Sequence, residues 1–177
     1  MSKDAQNRLI DIIGRATDDE MQRLYETLDG HKPASALWDM RFMDLAGEIS
    51  TWSKDPTTSV GCVIVDQQRR IVSTGYNGFP AGIEDDEAKM RDRETKLRMT
   101  IHAEHNAILF AQRSLKGCTL YVTMPPCAHC AAQIVQVGIT RVVSASPEPN
   151  QLERWGRDFE LAEAMFEQAG IEHDYRN

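Results

Sequence analysis

The stretches His102-Ala-Glu104 and Pro126-Cys127-Ala-His-Cys130 constrain this chain more than anything else in it. Thiolates and imidazole are donors that zinc takes in tetrahedral geometry, and a catalytic zinc site keeps one position open for water. Two cysteines three residues apart fall on one face of a helix. In a first helical turn the unpaired N–H groups and the helix dipole favour thiolate over thiol, and Pro126 stands where such a helix begins. His102 opens another helix, 25 residues earlier with a strand between, and can supply a third ligand. Three protein donors leave one position free, where a structural site would close with a fourth. Glu104, two residues from His102, is placed to sit beside a metal-bound water. A lone C-x-x-C also fits a redox pair or a structural ribbon. The combination of H-x-E with P-C-x-x-C is far more specific, and it joins three zinc donors to a carboxyl able to move a proton.

Composition narrows the alternatives. The chain has 177 residues, enough for one domain with a full core. Its 41% hydrophobic and 27% charged residues suit a soluble globular protein. No apolar run approaches the roughly 18 residues that cross a bilayer, and the N-terminus has no signal-peptide core, so a cytoplasmic protein without membrane partners is expected. The net charge of −7 argues against a broad grip on duplex nucleic acid. It leaves room for a small anionic substrate held by one or two local cations. Of the four cysteines, Cys62 and Cys118 sit in apolar strands as small core residues. His105 and His129 lie beside ligands as supporting or surface groups. His31 and His173 show no partner pattern.

The coarse pattern alternates helices and strands. Residues 1–35 read as an N-terminal helical extension, and residues 36–177 as the main domain. Trp38, Phe42, Leu45 and Ile49 mark one face of a helix. Asp55-Pro56 signals a turn, and Val60 to Val65 reads as a buried strand with an antiparallel partner at Arg70 to Gly75. The charged stretch from Glu84 to Arg98 reads as a solvated helix or flap with i,i+4 ion pairs. It reads alternatively as a lid whose Arg91, Arg93, Lys96 or Arg98 reaches a phosphate or an effector. Helices are expected over His102–Gln112, Cys127–Val137 (stopped near Gly138) and Leu152–Ala169 (stopped at Gly170). Strands are expected at Cys118–Val122, Ile139–Val143 and Ile171–Tyr175. This order predicts an α/β sandwich around a mixed sheet.

The segments SKDPTTSVGCVIV, GYNGFPAG, HAEHNAI, KGCTLYV and PPCAHCA, in this order, resemble the deoxycytidylate (dCMP) deaminase branch of the cytidine and deoxycytidylate deaminase family. The resemblance spans residues from about 36 to 175 and implies a three-layer α/β/α fold with a five-stranded mixed sheet, assembled as a homo-oligomer with a hexamer favoured. It implies zinc held by His102, Cys127 and Cys130, with Glu104 as the proton shuttle. Asn77 matches a residue that contacts sugar or phosphate, and Ser53 and Thr58 fall in a loop lining the nucleotide pocket. The implied reaction is hydrolytic deamination of dCMP to dUMP and ammonia by hydroxide generated at the metal, supplying thymidylate synthesis, with dCTP and dTTP as effectors. Many relatives carry a tyrosine after the strand that here ends near Ala145. This chain has Ser146-Pro-Glu-Pro-Asn150 instead, leaving Trp155 as the nearby aromatic. Rival readings are a deaminase of modified dCMP, of a nucleoside or of tRNA adenosine, and a non-catalytic zinc module.

Overall fold

The computed structural model describes residues 34–176. The helical extension expected over 1–35, with His31, lies outside them apart from the two residues that open the first helix. By internal contacts the chain divides into Met1–Leu37 and Trp38–Asn177, and the second unit carries the sheet and the site.

Helix α1 (Ala34–Ser50) follows its apolar stripe: Phe42, Ala46 and Ile49 are buried. Strands β1 (Gly61–Val65) and β2 (Ile71–Tyr76) form an antiparallel hairpin pair. Two short helices follow, α2 (Glu87–Arg91) and α3 (Arg93–Met99), then α4 (Ala103–Phe110). The chain continues through β3 (Thr119–Val122), α5 (Ala128–Gln136), β4 (Arg141–Ala145), α6 (Pro149–Ala169) and β5 (Glu172–Arg176). The strands run in the order β2-β1-β3-β4-β5, antiparallel at β2/β1 and β1/β3 and parallel at β3/β4 and β4/β5. A parallel pair needs a crossover, and α5 and α6 provide the two. The expected five-stranded mixed sheet is present.

Alternation along the strands builds two cores. Val63, Val65, Tyr121 and Val143 face α1. Cys62, Ile64, Leu120, Val122 and Val142 face the other way, packing with Ala103 and Ala107 of α4, Ala131 and Ile134 of α5, and Ala162 and Phe166 of α6. Each fully buried large side chain contributes about 1.5–3 kcal/mol, and the sheet separates the two helical layers. Cys62 and Cys118 are core residues, 0% and 3% exposed.

One glycine sets how close α4 lies. A Cβ at Gly75 would stand 2.3 Å from the Ala103 carbonyl oxygen and 2.5 Å from the Ala107 nitrogen. The missing side chain lets the start of α4 press on β2. At the other end of the sheet, α6 stops at Gly170, which has φ +67°. Its start lies three residues earlier than the apolar pattern suggests, because Pro149 occupies the first turn, where its missing N–H costs nothing.

The charged 84–98 stretch forms two capped helices rather than one. Asp86 accepts from the Ala88 and Lys89 N–H groups, and Asp92 accepts from Thr95 N–H. Arg91 pairs with Glu87 and Arg98 with Glu94, both i,i+4 on the solvent side.

Candidate active site

In α/β sheets, ligands favour the crevice beyond the carboxyl ends of parallel strands, where helices begin. Here α4 and α5 both start at one cavity. His102 is the residue that caps α4, and Cys127 is the residue that caps α5, each with extended backbone. Cys127 therefore sits just outside the helix and Cys130 in its first turn, both aimed at the same point as His102. Loop backbone holds this arrangement: Gly78 and Ile101 exchange hydrogen bonds of 3.1 and 2.8 Å, and the Asn106 side chain donates to the Tyr76 carbonyl at 2.8 Å.

His102 Nδ1 lies 3.5 Å from Cys127 Sγ and 3.4 Å from Cys130 Sγ. All three candidate donor atoms fall within 4.8 Å of one another. Tetrahedral zinc with ordinary Zn–N and Zn–S bonds holds such nitrogen and sulfur atoms roughly 3.6 Å apart. The donor set thus fits zinc in type and in spacing. No fourth side chain joins it among the described residues, and His102 and Cys127 line the cavity.

The electrostatics agree with a metal-accepting group. A hydrogen bond from Cys130, reinforced by one from His102, draws the Cys127 thiol down to about 4 against the effect of burial. Cys130 is the donor of that pair and is pushed above the usual thiol range. His102 is pushed up to about 9, chiefly by its hydrogen bond to Cys127. Zinc binding would displace the protons that these donors otherwise share. Glu104, 4% exposed, lies on the first turn of α4, its carboxyl in hydrogen-bond contact with Cys130. Burial pushes its carboxyl up to about 7, while the charge on His102 pulls the other way. It can hold or release a proton near neutrality.

The cavity, of about 120 Å³, is lined by His102, Glu104 and Cys127, together with Thr58 and Asn77 from the expected set. The Asn77 side chain clamps the loop before β1: its oxygen accepts from Val60 N–H at 2.8 Å, and its amide donates to the Thr58 carbonyl at 2.9 Å. Ser53 is not among the lining residues. Its hydroxyl donates to the Asn77 carbonyl at 2.8 Å and accepts from Asp55 N–H, securing the same loop from behind. Trp155 and Phe159 of α6 form an aromatic wall, with Leu97, Met124 and Pro125. Asp55 was legible only as a turn residue, and Phe159 only as part of an apolar helix.

Residues 36–146 match the family described as the cytidine and deoxycytidylate deaminase zinc-binding region. The chain belongs to this family. An uncharacterized deaminase of Aliivibrio fischeri is 47% identical over 135 residues, covering 76% of this chain and 90% of that one. Human deoxycytidylate deaminase is 36% identical over 140 residues, covering 76% of each. Among solved structures, dCMP deaminase of the cyanophage S-TIM5 superposes with a TM-score of 0.65 at 23% identity. It covers 82% of this chain and 100% of its own, and at that identity it establishes the shared fold. Zinc is the metal of the family, and the His102, Cys127 and Cys130 donors fit it.

Proposed function

We propose that this protein hydrolytically deaminates dCMP to dUMP and ammonia, with His102, Cys127 and Cys130 holding zinc and Glu104 moving the protons. The observation that carries this reading is a buried carboxyl, Glu104, beside a three-donor group, with Glu104, His102 and Cys127 lining one cavity. The 36% identity to human deoxycytidylate deaminase supports dCMP over other amino bases. The chain's acidity weighs against tRNA.

When bound, zinc lowers the pKa of a coordinated water toward neutrality and so makes hydroxide available. Glu104 takes the proton that the water gives up and delivers it to N3 of the base, which makes C4 electrophilic. After attack at C4, the same carboxyl takes the remaining proton from the oxygen added at C4 and hands it to the amine, which leaves as ammonia as the C4–N bond breaks and the C4 carbonyl forms. One carboxyl serves both transfers because its pKa sits near neutral when it is buried. Trp155 and Phe159 supply the apolar surface against which a base packs. Asn77 and Thr58 line the cavity wall and are the groups we assign to the sugar or phosphate, with Ser53 supporting their loop.

A homo-oligomer, with a hexamer favoured, belongs to the same proposal. Leu109 and Phe110 at the end of α4 are 56% and 63% exposed, and the edge strand β2 exposes Ile71 and Tyr76. Such a surface suits contact between copies. Residues 36–177 form the deaminase domain in this reading, in the cytoplasm, with dCTP and dTTP as effectors.

Ammonia release from zinc-loaded protein tests it, with dCMP, CMP, deoxycytidine, dCTP and 5-methyl-dCMP as substrates, each with and without dCTP and dTTP as effectors. Turnover confined to deoxymonophosphates is expected. Preference for the nucleoside would replace the substrate while keeping the site.

A further inference from the structure

Lys96 is the only lysine or arginine among the described residues that line the cavity. It projects from α3, one turn from its end, and its side chain is 14% exposed although the neighbouring Arg93 and Arg98 stay in solvent. Its ammonium donates to Asp55 Oδ1 at 3.0 Å and to the Thr57 hydroxyl at 2.5 Å. An ammonium has three N–H donors, so this anchoring leaves one for a ligand.

Asp55 has hydrogen-bond partners besides Lys96. Its Oδ1 also accepts from Thr57 N–H at 2.9 Å, the Thr57 hydroxyl at 2.9 Å and Thr58 N–H at 3.1 Å. Lys96 can therefore lean toward an anion without stranding a buried carboxylate. The cavity lining then divides by chemistry. His102, Cys127 and Glu104 form one polar group. Lys96, Asp55, Thr58 and Asn77 form another, joined through the loop before β1. Apolar Leu97, Met124, Pro125, Trp155 and Phe159 make up most of the rest. A nucleoside monophosphate has this same division: a polar reacting base edge, an apolar ring face and a dianionic phosphate.

We propose that Lys96 receives the substrate's 5′-phosphate and sets the preference for a monophosphate over the bare nucleoside, a role that deepens the dCMP reading and rests on it. Asp55 is a positioning residue that holds the ammonium at the wall. The competing account is that Lys96 merely ties α3 to the 55–58 loop.

Kinetics of zinc-loaded Lys96→Gln and Lys96→Arg with dCMP and deoxycytidine separate the two. A charge-assisted contact to phosphate predicts that Lys96→Gln loses about tenfold to a hundredfold more kcat/KM on dCMP than on deoxycytidine. Most of that loss falls on KM, and Lys96→Arg recovers part of it. Equal losses on both substrates, or none, would overturn the proposal. Deoxyribose 5-phosphate binding by calorimetry reports on Lys96 whatever base is turned over. Weakened binding in Lys96→Gln supports the role, and unchanged binding refutes it. If the unaltered chain fails to deaminate dCMP, the reaction assigned to the site is wrong, and the calorimetry still decides the phosphate contact.

Discussion

Two histidines in this protein stand in polar clusters of similar make-up, and only one of them faces a cavity. His102 meets two sulfur nucleophiles, with Glu104 nearby, where two helices begin. His173 meets a hydroxyl and a carboxylate: its Nε2 lies 2.9 Å from Ser144 Oγ and its Nδ1 lies 2.6 Å from Glu163. The Ser144 hydroxyl also donates to the Ala145 carbonyl at 3.1 Å. By residue type and distance this second group has the layout of a nucleophile, a base and an orienting acid. Ser144 is 0% exposed, however, and the His173 side chain 5%. Phe166 and Tyr175 pack on the ring, with centroids at 5.4 and 4.5 Å. Ser144 is sealed from solvent, and the cluster ties β4, α6 and β5 together. Access, more than the residue list, separates a site from a strut.

The sharpest way to break this comparison is to remove a thiol. Cys127→Ala is expected to lose both zinc and turnover completely, read by metal analysis and an ammonia assay. Full metal retention would show that the ligand set is wrong. Next in size, Glu104→Gln should keep zinc and fall about 10²–10⁴-fold in kcat. A near-normal rate would take Glu104 out of the mechanism.

A buried carboxylate on the opposite face of the sheet provides an intermediate effect. Asp39 accepts both Arg141 NH groups at 2.8 Å and the Tyr121 hydroxyl at 2.8 Å. Burial raises its pKa, but these hydrogen bonds and the Arg141 charge outweigh that and hold it below the ordinary value. Its folded pKa is thus below its unfolded one. The stability it contributes is complete above the unfolded value, about pH 4, and is lost as pH falls through the lower folded value. Asp39→Asn should cost about 2–4 kcal/mol at pH 7 by urea unfolding. That gap should close toward pH 2 while zinc content at neutral pH stays normal. A gap independent of pH would contradict the assignment.

The smallest effect is expected at the sealed cluster. Ser144→Ala should lower stability by about 1 kcal/mol, seen in the melting temperature, with kcat within about twofold. A large loss of turnover at unchanged stability would mean that the two clusters communicate.

What the sequence revealed follows from how locally each feature is encoded. His102, Glu104, Cys127 and Cys130 lie within two short segments, and the apolar periods of α1, β1 and α4 read directly as elements. The Asp39–Arg141 pair spans 102 residues, and Asp55–Lys96 spans 41. Neither leaves a local pattern. Lys96 was one of four cations that could turn inward from the charged stretch, and tertiary packing chose it. Ser53 shows the converse. Its loop position suggested the pocket, whereas its hydroxyl is engaged by the Asn77 carbonyl. His173 showed no partner pattern because Glu163 and Ser144 reach it only after α6 folds back on β5. Trp155 was the aromatic left near the missing tyrosine, and α6 brings it to the cavity.

The central claim is that one zinc site performs dCMP hydrolysis, and reconstitution of metal-free protein tests it most directly. Zinc is added stepwise while bound metal, dUMP and ammonia are measured together. The account predicts that activity appears in proportion to zinc up to one per chain, with equal dUMP and ammonia. Turnover of dCMP by the metal-free protein, or one bound zinc per chain with no dUMP formed, would contradict it.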